Sequence, residues 1–234
     1  MKRTATAVFA LLLVVASSAS AAFRVPQVPV LGGSLQGYLN SVGESINVLT
    51  DQEDVQRWAS TVSGNSSFTI QVELTANGAA NTIGLYNAAA GSPALYQVFP
   101  GAATADWFAI ASFRPTPSRV IVSLFDSFAT LLGSTTYVGA DASDFGFYLQ
   151  GPNGTFYTQD ARNPGGAAQA VSFKGTANNV GNWWLAFEDG TVAGLNQIGP
   201  GSDQDYDDCV LFMESVNPTP VTGTSWGALK QRFR

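Results

Sequence analysis

From residue 68 onward the chain is a succession of short apolar runs, each closed by a turn. Phe68, Ile70, Val72 and Leu74 alternate with Thr69, Gln71 and Glu73, the period-two signature of a strand with one face in a core. Further apolar runs occupy 82–86, 95–99, 107–113, 120–125, 145–149, 168–173, 183–187 and 209–213. Between them stand Asn77-Gly78, Gly91-Ser92-Pro93, Pro100-Gly101, Pro115-Thr116-Pro117, Gly151-Pro152-Asn153-Gly154, Asn163-Pro164-Gly165-Gly166 and the 199–201 turn. Such residues pre-set tight turns. Strands this short and this regularly punctuated predict a mainly β chain, an antiparallel β-sandwich or jelly roll.

Only the start of the folded region reads differently. Leu35, Leu39, Val42, Ile46 and Leu49 recur at spacings of three and four, interrupted by Gly37 and Gly43. One or two short N-terminal helices are expected between about 34 and 60, with Trp58 as a core anchor. No internal repeat or linker divides the rest of the chain, so a single β-sandwich domain is expected over 34–216.

The flanks carry other signals. Lys2 and Arg3 precede an apolar stretch over 5–16, and Ala19-Ser20-Ala21 supplies small residues for cleavage. This is the pattern of a signal peptide over 1–21, and its apolar run is shorter than the roughly 20 residues of a membrane span. Residues 22–33, with Pro26, Pro29, Gly32 and Gly33, read as an extended lead-in. The expectation is a secreted protein, extracellular or at the cell surface, with no transmembrane span in the mature chain. Residues 217–234 form a Pro-containing tail in which Trp226, Leu229 and Phe233 accompany Lys230, Arg232 and Arg234. It reads as a frayed terminus or a surface-association segment.

Composition excludes several functions. Among 234 residues there is no histidine, which removes the Ser-His-Asp triad, the Cys-His dyad and histidine-based zinc sites. The single cysteine, Cys209, forms no intramolecular disulfide and opens an apolar run, as a core residue does. A net charge of −6 without a basic stripe argues against nucleic acid as a partner. Only 12% of residues are charged, about half the usual share, so the few carboxylates that cluster stand out.

Seven of the 17 acidic residues lie between Glu188 and Glu214, a window without Lys or Arg. Its centre is Asp203-Gln204-Asp205-Tyr206-Asp207-Asp208. In an extended segment alternate side chains share a side, so Asp203, Asp205 and Asp207 are expected to crowd together. Glu188 and Asp189 end the 183–187 strand and are expected to fold alongside. Oxygen ligands in this number suit calcium, which takes six to eight of them. The candidate metal ligands are therefore Glu188, Asp189, Asp203, Asp205, Asp207 and Asp208. The run imitates part of an EF-hand loop, but Asp208 stands where that loop requires Gly. A continuously apolar strand also carries Glu214 about 20 Å away from Asp208, so the EF-hand is rejected.

These residues resemble a known family. The run from Glu73 to Met213, about two-thirds of the chain, is similar to a bacterial domain of unknown function found in exported proteins, many with PEP-CTERM-type sorting tails. That family ends in an acidic D-x-D-Y-N-D-type motif followed by an apolar strand. Here the motif reads Asp203 to Asp208, then Cys209-Val210-Leu211-Phe212, with Asp207 in place of the usual Asn. Trp184-Leu185-Ala186-Phe187-Glu188-Asp189 resembles a second block, and the segments 81–86, 96–99 and 145–149 resemble weaker ones. The resemblance implies a β-rich exported domain that binds calcium and has no established enzymatic activity.

The expected function is that of a non-enzymatic, calcium-binding cell-surface or extracellular-matrix module for adhesion or assembly. Its expected partners are copies of itself or other surface proteins. The alternative is a calcium-dependent carbohydrate-binding module, in which an exposed Trp183 or Trp184 would stack on a glycan. A glycoside hydrolase, which needs two opposed carboxylates, ranks below both.

Overall fold

The computed structural model describes residues 34–72, 77–191 and 202–219. The readings made for 1–33, for 220–234, for Leu74 and for the 199–201 turn lie outside them. The described chain contains one α-helix, α1 (Ser34–Ser41), and thirteen strands. In order these are β1 (Trp58–Ser60), β2 (Asn65–Val72), β3 (Thr82–Asn87), β4 (Leu95–Phe99), β5 (Phe108–Pro115), β6 (Ser118–Phe125) and β7 (Leu131–Val138). Then come β8 (Phe145–Gly151), β9 (Gly154–Tyr157), β10 (Ala170–Lys174), β11 (Trp183–Phe187), β12 (Cys209–Glu214) and β13 (Val216–Pro218).

All ladders are antiparallel. One sheet runs β10-β11-β12-β2-β5-β6-β7; the other runs β13-β1-β8-β3-β4, with β9 also on β8. The expected β-sandwich is therefore present. Its interior is filled by alternate residues of facing strands, with Phe68, Phe145, Phe147, Leu185, Phe187, Cys209 and Leu211 among them. Phe147 receives Trp58 and Phe68 edge-on, at centroid distances of 5.3 and 5.1 Å, the arrangement that ring quadrupoles favour.

The other face of the seven-stranded sheet is covered only in part. On α1, Leu35 and Leu39 lie one turn apart and bury against Val171, Phe173, Trp184, Ala186, Tyr206 and Val210. This explains why 183–187 is apolar throughout. Trp183, Leu185 and Phe187 face the sheet-to-sheet core, while Trp184 and Ala186 lie beneath the helix. Neither indole is exposed, at 5% and 3% relative accessibility, so neither offers a face for stacking on a sugar.

The helical periodicity seen to Leu49 is realised only as far as Ser41. Gly43, at φ 84°, closes α1 in a Schellman arrangement. The Glu44 amide donates to Leu39 O at 3.0 Å and the Gly43 amide to Asn40 O at 3.1 Å. Ile46 and Val48 continue the apolar cover as irregular chain, and Trp58 anchors the core from a strand rather than a helix. The expected domain boundary at 216 falls inside β13, whose Val216 and Asn217 pair with Ser60 and Ala59. The Thr219 amide adds a bond to Arg57 O. No helix among the described residues is long and apolar enough to cross a membrane.

Candidate metal centre

The β11–β12 ladder brings the start of the acidic window against the end of its 203–208 run. Phe187 lies opposite Cys209, so the next positions outward are Glu188 and Asp208. The Glu188 amide continues the neighbouring ladder by donating to Gln169 O at 3.0 Å. The two carboxyl groups lie close enough that the charge of Asp208 disfavours ionisation of Glu188. Like charges opposite one another on adjacent strands destabilise a sheet, and Glu188 is buried as well.

The loop before β12 adds two more carboxylates. Asp203, Asp205 and Glu188 present oxygens within 4.8 Å of one another. The chain there is not extended, contrary to the expectation. Gln204 and Tyr206 have φ of 61° and 55°, left-handed values rare for residues with a side chain. Each kink turns its own side chain inward: Gln204 and Tyr206 are buried, and the Tyr206 hydroxyl donates to Ala168 O at 2.7 Å. Asp203 and Asp205 are left together on the outside of the loop. The Asp207 amide caps the turn on Asp205 Oδ1 at 3.3 Å.

Alternation beyond β11 divides the Glu188-Asp189 pair. Asp189 Oδ2 accepts the Asn81 amide at 2.8 Å and the Asn77 amide at 3.2 Å, from the β3 side. Asn153 bonds the Asp189 carbonyl at 3.1 Å. Meanwhile Asp208 Oδ2 accepts the Asp189 backbone amide at 2.7 Å. The structure therefore gathers Glu188, Asp203 and Asp205 around one point and sets Asp208 against Glu188. It engages the Asp189 carboxylate with amides of the other sheet. Asp207 is buried beside the cluster rather than in line with Asp203 and Asp205.

The electrostatics follow from this crowding. Burial, then the charges of Asp208 and Asp203, push Glu188 up to about 9. Burial and the neighbouring Asp205 raise Asp207 to about 7. Asp208 rises to about 6, mainly through burial, with the Asp189 amide working against the rise. Asp205 is raised by burial and by Asp203. No cationic side chain forms an ion pair with any of these groups among the described residues. Three buried oxygens at the site also lack a hydrogen-bond partner: Glu188 Oε2, Asp207 Oδ2 and Ser202 Oγ. An unpaired buried polar atom costs about 1–3 kcal/mol, more when charged.

Glu188, Asp203 and Asp205 are placed so that they could hold a divalent cation. Calcium binds oxygens at 2.3–2.6 Å, so oxygens within 4.8 Å of one another are close enough to share one ion. The donors are all hard oxygens, as calcium requires. The sequence did not single out Ser202, Asn81 or Gln169. The last steadies the turn by donating to the Glu188 and Gly190 carbonyls at 3.2 and 2.6 Å. Only the Asn77-Gly78 turn and the 81–86 block hinted at these partners. No family model, no curated protein and no solved structure matches this chain.

Proposed function

We propose that the protein is an exported, calcium-binding β-sandwich that serves as a non-enzymatic cell-surface or matrix module for adhesion or assembly. One observation carries the calcium reading. The Glu188 carboxyl is 1% exposed, its Oε2 has no partner, and it lies beside Asp203 and Asp205. A cation there satisfies the orphaned oxygen and screens the mutual repulsion. Glu188, Asp203 and Asp205 hold the ion. Asp208, Asp207 and Ser202 supply further oxygens to the same loop, and Asp189 ties that loop to the other sheet through Asn77 and Asn81.

The role of such an ion is structural. It joins the end of β11 to the segment leading into β12 across a stretch that otherwise repels itself. Export is supported by the signal-peptide pattern of 1–21, and the surface role by the resemblance of 73–213 to an exported bacterial domain family. The test is a calorimetric calcium titration with thermal melts in calcium and in EDTA, run beside Asp205→Asn. Saturable binding, with a melting point that falls in EDTA and in the variant, is expected. Absence of binding with identical melts overturns the metal reading.

A further inference from the structure

We infer that two copies of this protein associate through β7, edge to edge and antiparallel about a twofold axis, to form one continuous sheet. This edge gives the assembly role proposed above a surface, and it stands apart from the metal site.

β7 is the terminal strand of the seven-stranded sheet, eight residues long, and every residue except Tyr137 is exposed. Edge strands normally carry a protecting device such as an inward charge, a proline or a covering loop. From Ser127 to Ala140 there is no charged residue and no proline. Exposed apolar side chains concentrate here instead: Phe128 at 89%, Val138 at 73%, Leu131 at 56% and Leu132 at 47%. The one irregularity, a register shift opposite Leu124 and Phe125, affects only the Leu131 end.

The backbone is set for pairing. The Gly139 amide donates to Ser118 O at 2.7 Å. Because amides alternate in direction along an antiparallel strand, Thr135 and Tyr137 bond inward to β6. The amides and carbonyls of Ser134, Thr136 and Val138 then point outward. An antiparallel second copy offers the same set in reverse. Its Val138 end meets the Leu131 end of the first copy, apolar against apolar, and the serine and threonine residues meet between them. This self-complementarity is what a twofold interface needs.

Charge favours the second copy at this edge over any other. The protein carries net charge −6, and its densest acidic cluster lies at β11 and β12. Those strands are separated from β7 by β2, β5 and β6. Joining at β7 keeps the two clusters far apart, with the whole uncharged edge between them. The opposite edge is not equivalent, because Glu53 bridges to Ser172 on β10.

The test is sedimentation equilibrium of the purified chain across a concentration series, in calcium and in EDTA. It is run beside the double variant Ser134→Lys/Thr136→Lys and the single variant Thr136→Val. A monomer–dimer equilibrium is expected in both media, because β7 does not depend on the metal centre. The lysines face one another across the twofold axis and are expected to weaken the dimer at least about tenfold. Both positions are exposed, so the melting point of the monomer should not move. Thr136→Val is expected to preserve association. A monomer at all concentrations overturns the inference, as does a dimer indifferent to the lysines or an open-ended oligomer. Loss of the dimer in EDTA alone would assign association to the metal site instead. A dimer without calcium binding would overturn the metal reading and leave this one standing.

Discussion

Two glutamates of this protein are almost equally buried and lie in opposite surroundings. Glu44, 5% exposed, follows α1 and reaches the turn after β10. Its carboxylate accepts the Thr176 amide at 2.6 Å, the Thr176 hydroxyl at 2.5 Å, Asn179 Nδ2 at 2.6 Å and the Trp184 indole at 2.9 Å. Burial alone would raise its pKa, but the bonds from Thr176, Asn179 and Trp184 outweigh burial and hold it below the usual carboxylate range. Glu188, 1% exposed, faces other carboxyl groups and is pushed up. Burial of a carboxylate is thus not in itself a sign of a binding site; the neighbours decide. Four donors make Glu44 a lock between helix and sheet. Acidic neighbours and an orphaned oxygen give Glu188 the surroundings that the proposed cation site calls for.

The contrast breaks most visibly at Glu44. Glu44→Ala strands several donors in a dry position and is expected to lower the unfolding free energy by about 4 kcal/mol. The loss should be equal in calcium and in EDTA. Urea unfolding in the two media checks this, and a calcium-dependent loss would mean that Glu44 belongs to the metal centre after all. Glu188→Gln should behave in the reverse way. In EDTA at pH 8 it removes a carboxyl that must take up a proton on folding and should leave stability equal or higher. With calcium at a hundred times its dissociation constant it should forfeit about 2.7 kcal/mol of ligand stabilisation. Equal shifts in both media would erase the distinction.

Proton linkage sharpens the comparison further. The folded state without a cation holds protons on Glu188, Asp207 and Asp208 that the unfolded chain has already released. Stability then falls as pH rises from about 4.5 through about 9 for Glu188, with Asp207 and Asp208 adding to the lower part of that range. Glu44 has the opposite sign: its contribution is present above the unfolded value and is lost as pH falls. The cation-free protein should be most stable near pH 5 and lose stability steadily toward pH 8. Excess calcium should flatten that decline. Chemical denaturation across pH in EDTA and in calcium measures both curves, and a cation-free protein that gains stability toward pH 8 would contradict the crowded site.

The smallest effect belongs to a carboxylate in neither setting. Glu53 pairs with Lys174 at 2.6 Å, but both side chains are exposed to solvent. Glu53→Gln should change stability by less than about 1 kcal/mol, as exposed pairs do. A larger change by thermal melting would assign a structural role to the outer strand edge.

How much of this was legible before the fold depended on whether one strand face was buried. β2, β3 and β8 announced themselves because their apolar residues enter a core. β7 did not: of its eight residues only Tyr137 packs against the core, so Leu131-Leu132-Gly133-Ser134-Thr135-Thr136-Tyr137-Val138 carries no alternation to read. β1, β9 and β13 are too short for a period to develop. Among the carboxylates, the density of 203–208 was visible as a run. The separation of Asp189 from Glu188 was not, although period-two alternation continued past Phe187 would have assigned them to opposite faces. Glu44 gave no signal, because its partners Thr176, Asn179 and Trp184 are more than a hundred residues away.

The sequence by itself determined that the chain is a sandwich of short antiparallel strands and that its acidic charge gathers before the last long one. Both are local properties: apolar periodicity is written in neighbouring residues, and so is charge density. Only the tertiary structure decided which carboxylates face each other, which one is answered by amides and an indole, and which strand is left at the end of the sheet. Those outcomes depend on the register of β11 against β12 and on the order of strands across the sheet. Both are set by pairings between distant segments, which no local pattern encodes.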